Sequence, residues 1–213
     1  MTAVSRHGVM VLGIVLGFCG SVARAAEKAT TVEPTPTILS LRLTTSNELS
    51  ALSQRALINE TESIWRDAHV QLRWVRDYSN ADTDRPLRII VTRRAVKTTD
   101  HQWPVAELLR FEDQSGVAFA SITAALRIVE GEPELPLGNL SAIGQYKLGV
   151  VLGRAVAHEI GHYLLQSNTH SPYGLMRASI DAREFADLRP GAFRLDRESQ
   201  AYLAARAHAA RSE

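Results

Sequence analysis

The feature that most constrains this chain is a His-Glu-x-x-His motif made of His158, Glu159 and His162. On a helix, residues four positions apart lie on the same face, so the two imidazoles would project together with the carboxylate beside them. Two imidazoles at this spacing can bind a zinc ion, and the carboxylate can act as a general base. The motif therefore predicts a zinc hydrolase and requires a helix around it.

The motif helix is predicted to start near Ser141 and to run to about Gln166. At about 100° per residue, small and apolar residues fall on the side opposite the two histidines, namely Gly149, Gly153, Val156, Ile160 and Leu164. We expect this back of the helix to pack on a sheet and the imidazoles to face away from it. Such a placement favours metal ligands over a buried structural pair of histidines.

The rest of the chain carries strand patterns separated by helical patterns. Strands are predicted at Ile38–Leu43, Val70–Val75, Leu87–Thr92 and Gly116–Ile122, and helices over Asn47–Asp67 and Asp196–Ala209. Thr45, Ser46 or Asn47 would be the N-cap of the first helix, and the pattern over Thr123–Val129 fits either a helix or a strand. The order strand, helix, strand, strand predicts an α/β fold with at least two parallel strands.

The N-terminus is typical of a secretory signal peptide over residues 1–25. Arg6 and His7 precede an apolar run from Val9 to Phe18, and small residues around Arg24 offer a cleavage site. Residues 26–36 are polar and predict a flexible leader, and residues 37–209 are predicted to form one catalytic domain. We therefore expect an exported protein, secreted or periplasmic, that would contact a membrane only if the signal segment stays uncleaved.

Cleavage after Ala25 would remove two arginines and no acidic residue, so the net charge would change from +1 to −1. That balance gives no basic footprint for nucleic acid. Cleavage would also remove Cys19, the only cysteine of the chain, which excludes disulfides from the mature protein. We expect a peptide or protein substrate and no nucleic-acid partner, and we assume a monomer.

A catalytic zinc ion takes three protein ligands and keeps one position for water, so a third ligand must come from outside the motif. His170 follows His158 by twelve residues, and the triplet Gly174-Leu175-Met176 comes next. These residues resemble the metzincin clan of zinc peptidases, whose pattern is H-E-x-x-H-x-x-G-x-x-H followed by a methionine in a tight turn. In this chain Leu165 stands at the glycine position and Asn168 at the third-histidine position, so the spacing departs from that pattern.

The resemblance implies a zinc endopeptidase with one catalytic Zn²⁺ bound by His158, His162 and His170. Glu159 would be the general base, and Met176 would form the turn beneath the metal. The implied fold is a single metzincin-like catalytic domain, in which a small twisted mixed sheet packs on a long helix of the N-terminal half and on the motif helix, with a helix at the C-terminus. The strand at 116–122 would be the edge that pairs with an extended substrate.

The departure from the pattern leaves other interpretations open. Leu165 would let the motif helix continue, and Ser167 or Asn168 would end it before the chain returns to His170. In a gluzincin-like site, Glu184 would be the third ligand instead. A catalytically silent domain that binds zinc or serves as a scaffold is a further alternative. Tyr173 is a candidate for stabilising an oxyanion.

Overall fold

The computed structural model describes residues 36–75, 86–93, 104–189, 191 and 193–209. The elements in chain order are β1 (Thr37–Thr45), α1 (Ala51–Arg66), β2 (Val70–Trp74), β3 (Leu87–Thr92), β4 (Ala106–Arg110), β5 (Gly116–Ser121), α2 (Ile122–Val129), α3 (Ala142–Leu165), α4 (Ala182–Phe185) and α5 (Arg197–Ala209). Short 3₁₀ turns lie at Leu137–Asn139 and Gly174–Met176.

The five strands form one mixed sheet in the order β2-β1-β3-β5-β4. The strands β2, β1, β3 and β5 run parallel to one another, and β4 pairs antiparallel with β5 at one edge of the sheet. Leu87, Ile89 and Val91 alternate along β3 and are all buried, which is the period of two expected where one face of a strand packs on the core. The predicted α/β class and the small mixed sheet are confirmed.

β4 has no counterpart in the predicted strands. Its sequence Ala-Glu-Leu-Leu-Arg does not alternate, and only Ala106 is buried. Because four of its five residues lie outside the core, no alternation of apolar and polar residues marks this strand in the sequence. As a result, the segment expected to be an edge, at Gly116–Ile122, lies between β3 and β4. The prediction that it is the substrate-pairing edge is therefore wrong.

Serine hydroxyls cap three of the helices. Ser50 Oγ accepts a hydrogen bond from the Ser53 amide at 3.1 Å, so α1 begins at Ala51 and not next to the predicted caps at Thr45, Ser46 or Asn47. Thr45 still belongs to β1, which excludes a cap there. Ser121 caps α2 in the same way, and this cap makes the ambiguous segment over 123–129 a helix.

The motif helix α3 begins after Ser141, whose hydroxyl accepts from the Gly144 amide at 3.1 Å. It ends at Gln166, which has a left-handed backbone with φ of 51°. The predicted stops at Ser167 or Asn168 are wrong by one or two residues. The left-handed residue turns the chain directly after the helix, and the two polar residues then lie in the loop that leads to His170.

The glycine side of α3 packs on α1, which corrects the expectation that it faces the sheet. A Cβ atom at Gly149 would lie 2.3 Å from the Ser53 carbonyl oxygen, and one at Gly153 would lie 2.7 Å from the Leu57 carbonyl oxygen. Thr61 Oγ1 also donates to the Gly153 carbonyl at 3.1 Å. Small residues thus allow the two helix backbones to approach closely, and α1 becomes the support on which the motif helix rests.

The described residues belong to one compact unit, Pro34–Glu213. The predicted signal peptide at 1–25 lies outside the described residues, and so does the predicted leader at 26–36 apart from its last residue. Among the described helices, none combines the length and the apolar character that a membrane crossing needs.

Candidate metal centre

Three histidine side chains converge at the C-terminal half of α3. His158 and His162 come from the helix and His170 from the loop that follows it, and one ring nitrogen of each lies within 4.8 Å of those of the other two. The ring centroids of His158 and His162 are 4.6 Å apart, and His170 stacks on His158 at 5.4 Å. The structure therefore brings together the three residues that the sequence analysis named as metal ligands.

Backbone carbonyls fix the orientation of the two helical imidazoles. His158 Nδ1 lies 2.8 Å from the Leu175 carbonyl oxygen, and His162 Nδ1 lies 2.8 Å from the Ser167 carbonyl oxygen. A carbonyl oxygen only accepts hydrogen bonds, so each Nδ1 must carry the proton and donate. Each Nε2 is then left with a lone pair, which is the arrangement that outer hydrogen bonds impose on metal-binding histidines.

The two Nε2 atoms face each other at 3.0 Å. Burial, with a smaller contribution from the charges of His162 and His170, lowers the pKa of His158 to about 4, although the hydrogen bond to the Leu175 carbonyl opposes this. Burial also lowers the pKa of His162. Both rings are therefore neutral at neutral pH, and neither Nε2 can donate to the other. In a tetrahedral zinc site, Zn–N bonds of about 2.0–2.1 Å place two ligand nitrogens about 3.3 Å apart. The separation of the two Nε2 atoms is close to this value, so the pair fits a zinc ion.

Glu159 lies beside the histidines and is 7% exposed. Burial and, to a lesser extent, the negative charge of Glu107 on β4 raise the pKa of its carboxyl group to about 7, although a hydrogen bond from the Leu108 backbone opposes the rise. Such a group can both take up and release a proton near neutral pH. The structure thus places a buried carboxyl between the motif helix and the edge strand.

Met176 is 1% exposed and packs directly on the backbone of the motif helix. A Cβ atom at Gly161 would lie 2.2 Å from Met176 Sδ, so the glycine between the two histidines makes room for this side chain. Met176 belongs to the 3₁₀ turn Gly174–Met176, whose Leu175 carbonyl orients His158. The turn and the first histidine are therefore positioned as one unit.

Arg154 supports the site from the core side, one helical turn before His158. It is 2% exposed, and its guanidinium donates to Glu60 on α1 at 2.7 Å and to the Phe185 carbonyl at 2.8 Å. It also lies 4.3 Å from the centre of the Phe193 ring. A buried cation with charged and carbonyl partners connects α1, α3 and the segment that follows the methionine turn.

Three other residues were considered for the site, namely Glu184 as a ligand, Asn168 at the third-histidine position of the pattern, and Tyr173 as an oxyanion stabiliser. Each of them is exposed or has another partner. Glu184 forms a two-point ion pair with Arg177, one arm of which measures 3.1 Å, and it is not part of the histidine cluster. Asn168 Oδ1 accepts from Arg110 Nη2 at 2.6 Å. Tyr173 is 74% exposed. Of the two proposed third ligands, His170 and Glu184, only His170 meets His158 and His162.

The histidines open into a cleft of about 480 Å³. One wall is β4, and the other is the segment after the methionine turn. The apolar side chains that line the cleft include Ile128 of α2 and Ala155 of α3, together with Ile180 and Phe185 of the second wall. The cleft therefore has an apolar lining next to the histidines.

Several residues that shape the site were missed by the sequence analysis. Gly161 and Arg154 did leave a signal, because a glycine inside a helix is unfavourable by about 1 kcal/mol and a cation within an apolar helix segment needs partners. The carbonyls of Ser167 and Leu175 left none, since any residue can supply a backbone carbonyl. Arg110 and its strand were hidden by the lack of alternation in β4.

Comparisons with protein-family models and with curated protein sequences gave no match. Among solved structures, the chain is similar to archaemetzincin from Methanopyrus kandleri, at a TM-score of 0.48 and 13% sequence identity, over 82% of this chain and 97% of that one.

Proposed function

We propose that this chain is an exported zinc-dependent endopeptidase. His158, His162 and His170 would hold one zinc ion, and Glu159 would be the general base. The observation that carries the proposal is the convergence of two neutral imidazoles whose Nε2 lone pairs face each other at 3.0 Å, with a third imidazole beside them. A metal cation binds such lone pairs, whereas no hydrogen bond can form between them.

When bound, zinc lowers the pKa of water to about 7 and polarises a carbonyl group. The chain's own contribution is to move protons. Glu159 would accept a proton from the attacking water and donate it to the leaving amine. Glu159 lines the cleft that the three histidines share, so its carboxyl group would lie beside a substrate bound there.

A peptide substrate is supported by the outer edge of β4. The Ser121 amide donates to Val105 and the Phe111 amide donates to Ser115, so the antiparallel alternation directs the backbone groups of Ala106 and Leu108 away from β5. On that side the Leu108 amide donates to the Glu159 carboxyl group, which leaves the other outward backbone groups for a substrate. No other described strand pairs with this side of β4. An extended peptide could add to this edge through main-chain hydrogen bonds while crossing the histidine site.

Removal of the metal tests the proposal. We expect the chain to cleave an unfolded protein substrate or a peptide library, to lose that activity on dialysis against a chelator, and to regain it with one equivalent of zinc but not with magnesium. Imidazole nitrogens suit zinc, whereas magnesium requires oxygen ligands. Elemental analysis that finds stoichiometric zinc without cleavage of any library peptide would favour the silent zinc-binding domain.

A further inference from the structure

Hydrogen bonds to other parts of the chain hold the segment between α3 and Ser171, among them one between the side chains of Ser171 and Asp196 and three others. The Ser167 carbonyl accepts from His162 Nδ1 at 2.8 Å, and the Ser171 amide donates to the Met176 carbonyl at 2.8 Å. The third bond joins Asn168 Oδ1 to Arg110 Nη2 at 2.6 Å. Of these three, only the bond to Arg110 ties the loop to the sheet.

Apolar packing does not hold this loop. Gln166, Asn168, Thr169 and His170 are all exposed. Ordering each residue costs about 1–2 kcal/mol of backbone entropy, and no buried side chain between α3 and His170 offsets that cost. The position of the third histidine therefore depends on polar contacts, and the bond from a guanidinium is the strongest type among them.

The identity of Asn168 adds to this interpretation. In the metzincin pattern, this position is the third histidine itself, whereas here the ligand candidate comes two residues later. The longer loop has to turn before it reaches the imidazole pair. The hydrogen bond from Arg110 on β4 contacts this turn at Asn168.

We propose that Arg110 is a positioning residue for the third metal ligand, acting through Asn168. This inference rests on the proposed function, because it assumes that His170 binds zinc. Arg110 is the last residue of the edge strand β4 and lies outside the His-Glu-x-x-His motif. The end of β4 is thereby coupled to the metal centre that it borders.

Zinc affinity of the full chain, measured by chelator competition, tests the inference. Loss of a hydrogen bond to a ligating histidine typically weakens metal binding by 10–100-fold. Because the bond from Arg110 acts on His170 only through Asn168, we expect Arg110→Ala and Asn168→Ala each to weaken zinc binding by the lower of these values, about tenfold. The double variant should be no weaker than either single variant, because both remove the same bond. Asn168→Asp should tighten binding with Arg110 present but not in the Arg110→Ala background.

The matched control is Arg183→Ala, which removes an exposed arginine that does not line the cleft. It should leave zinc affinity unchanged. The melting temperature of each metal-free variant shows whether a loss of zinc affinity comes from unfolding. If the alanine variants unfold, Asn168→Asp still tests the bond between Arg110 and residue 168. Zinc affinity within twofold of wild type in both alanine variants, or additive losses in the double variant, would overturn the inference. Failure of the wild-type chain itself to bind zinc would instead overturn the proposed function.

Discussion

Glu159→Gln should lose almost all peptide hydrolysis and keep its zinc. Glutamine has nearly the same shape as glutamate, so it fits the buried position next to the Leu108 backbone. Its amide, however, cannot accept a proton from water. General bases contribute about 10²–10⁴-fold to rates, so we expect kcat to fall about 10³-fold. Steady-state kinetics on one peptide, with zinc content measured in the same sample, checks both halves of the prediction.

Glu134→Gln is the matched control, because Glu134 is an exposed carboxylate in the loop before α3. It should retain the wild-type rate. Hydrolysis by Glu159→Gln within a few-fold of wild type would contradict the assignment of the base. Loss of zinc from Glu159→Gln would instead indicate that Glu159 helps to hold the metal.

His170→Asn should lose zinc, whereas Glu184→Gln should keep it. Zinc sites with four protein ligands have apparent binding free energies of about 10–16 kcal/mol, or roughly 3 kcal/mol for each ligand. At 1.4 kcal/mol for each factor of ten, the loss of one ligand corresponds to about 10²–10³-fold in affinity. Glu184 already pairs with Arg177, so its amide variant should change zinc affinity by less than about threefold, as expected for a residue outside the ligand set.

His69→Asn controls for the removal of a histidine. His69 is exposed and has φ of 55°, a conformation that asparagine tolerates, so the substitution should leave zinc binding unaffected. The opposite pattern, with zinc lost from Glu184→Gln and kept by His170→Asn, would favour the gluzincin-like site.

The parts of the fold with a strong local signal were predictable from the sequence. β3 was predicted with its observed limits because its buried residues alternate, and α3 was predicted within one residue at each end. The His-Glu-x-x-His spacing placed two imidazoles on one helical face without any knowledge of the fold. The third histidine was implied by the resemblance to the metzincin clan, which rests on His170 and on the triplet that ends at Met176.

Features that depend on distant contacts were not predictable. The apolar back of α3 gave no indication that Gly149 would meet a helix and not a sheet, because a small residue suits either partner. β4 was missed because only Ala106 of its five residues is buried, whereas the other edge strand, β2, alternates and was predicted. The carbonyls that set the tautomers of His158 and His162 belong to loop residues whose side-chain identity is irrelevant to that role.

The most direct test of the account is the coordination of zinc in the loaded full-length chain, determined by crystallography at the zinc absorption edge. The account predicts nitrogen atoms of His158, His162 and His170 at about 2.0–2.1 Å from the metal, with one non-protein oxygen completing the site. A Glu184 carboxylate oxygen among the ligands, or His170 outside the coordination sphere, would contradict it.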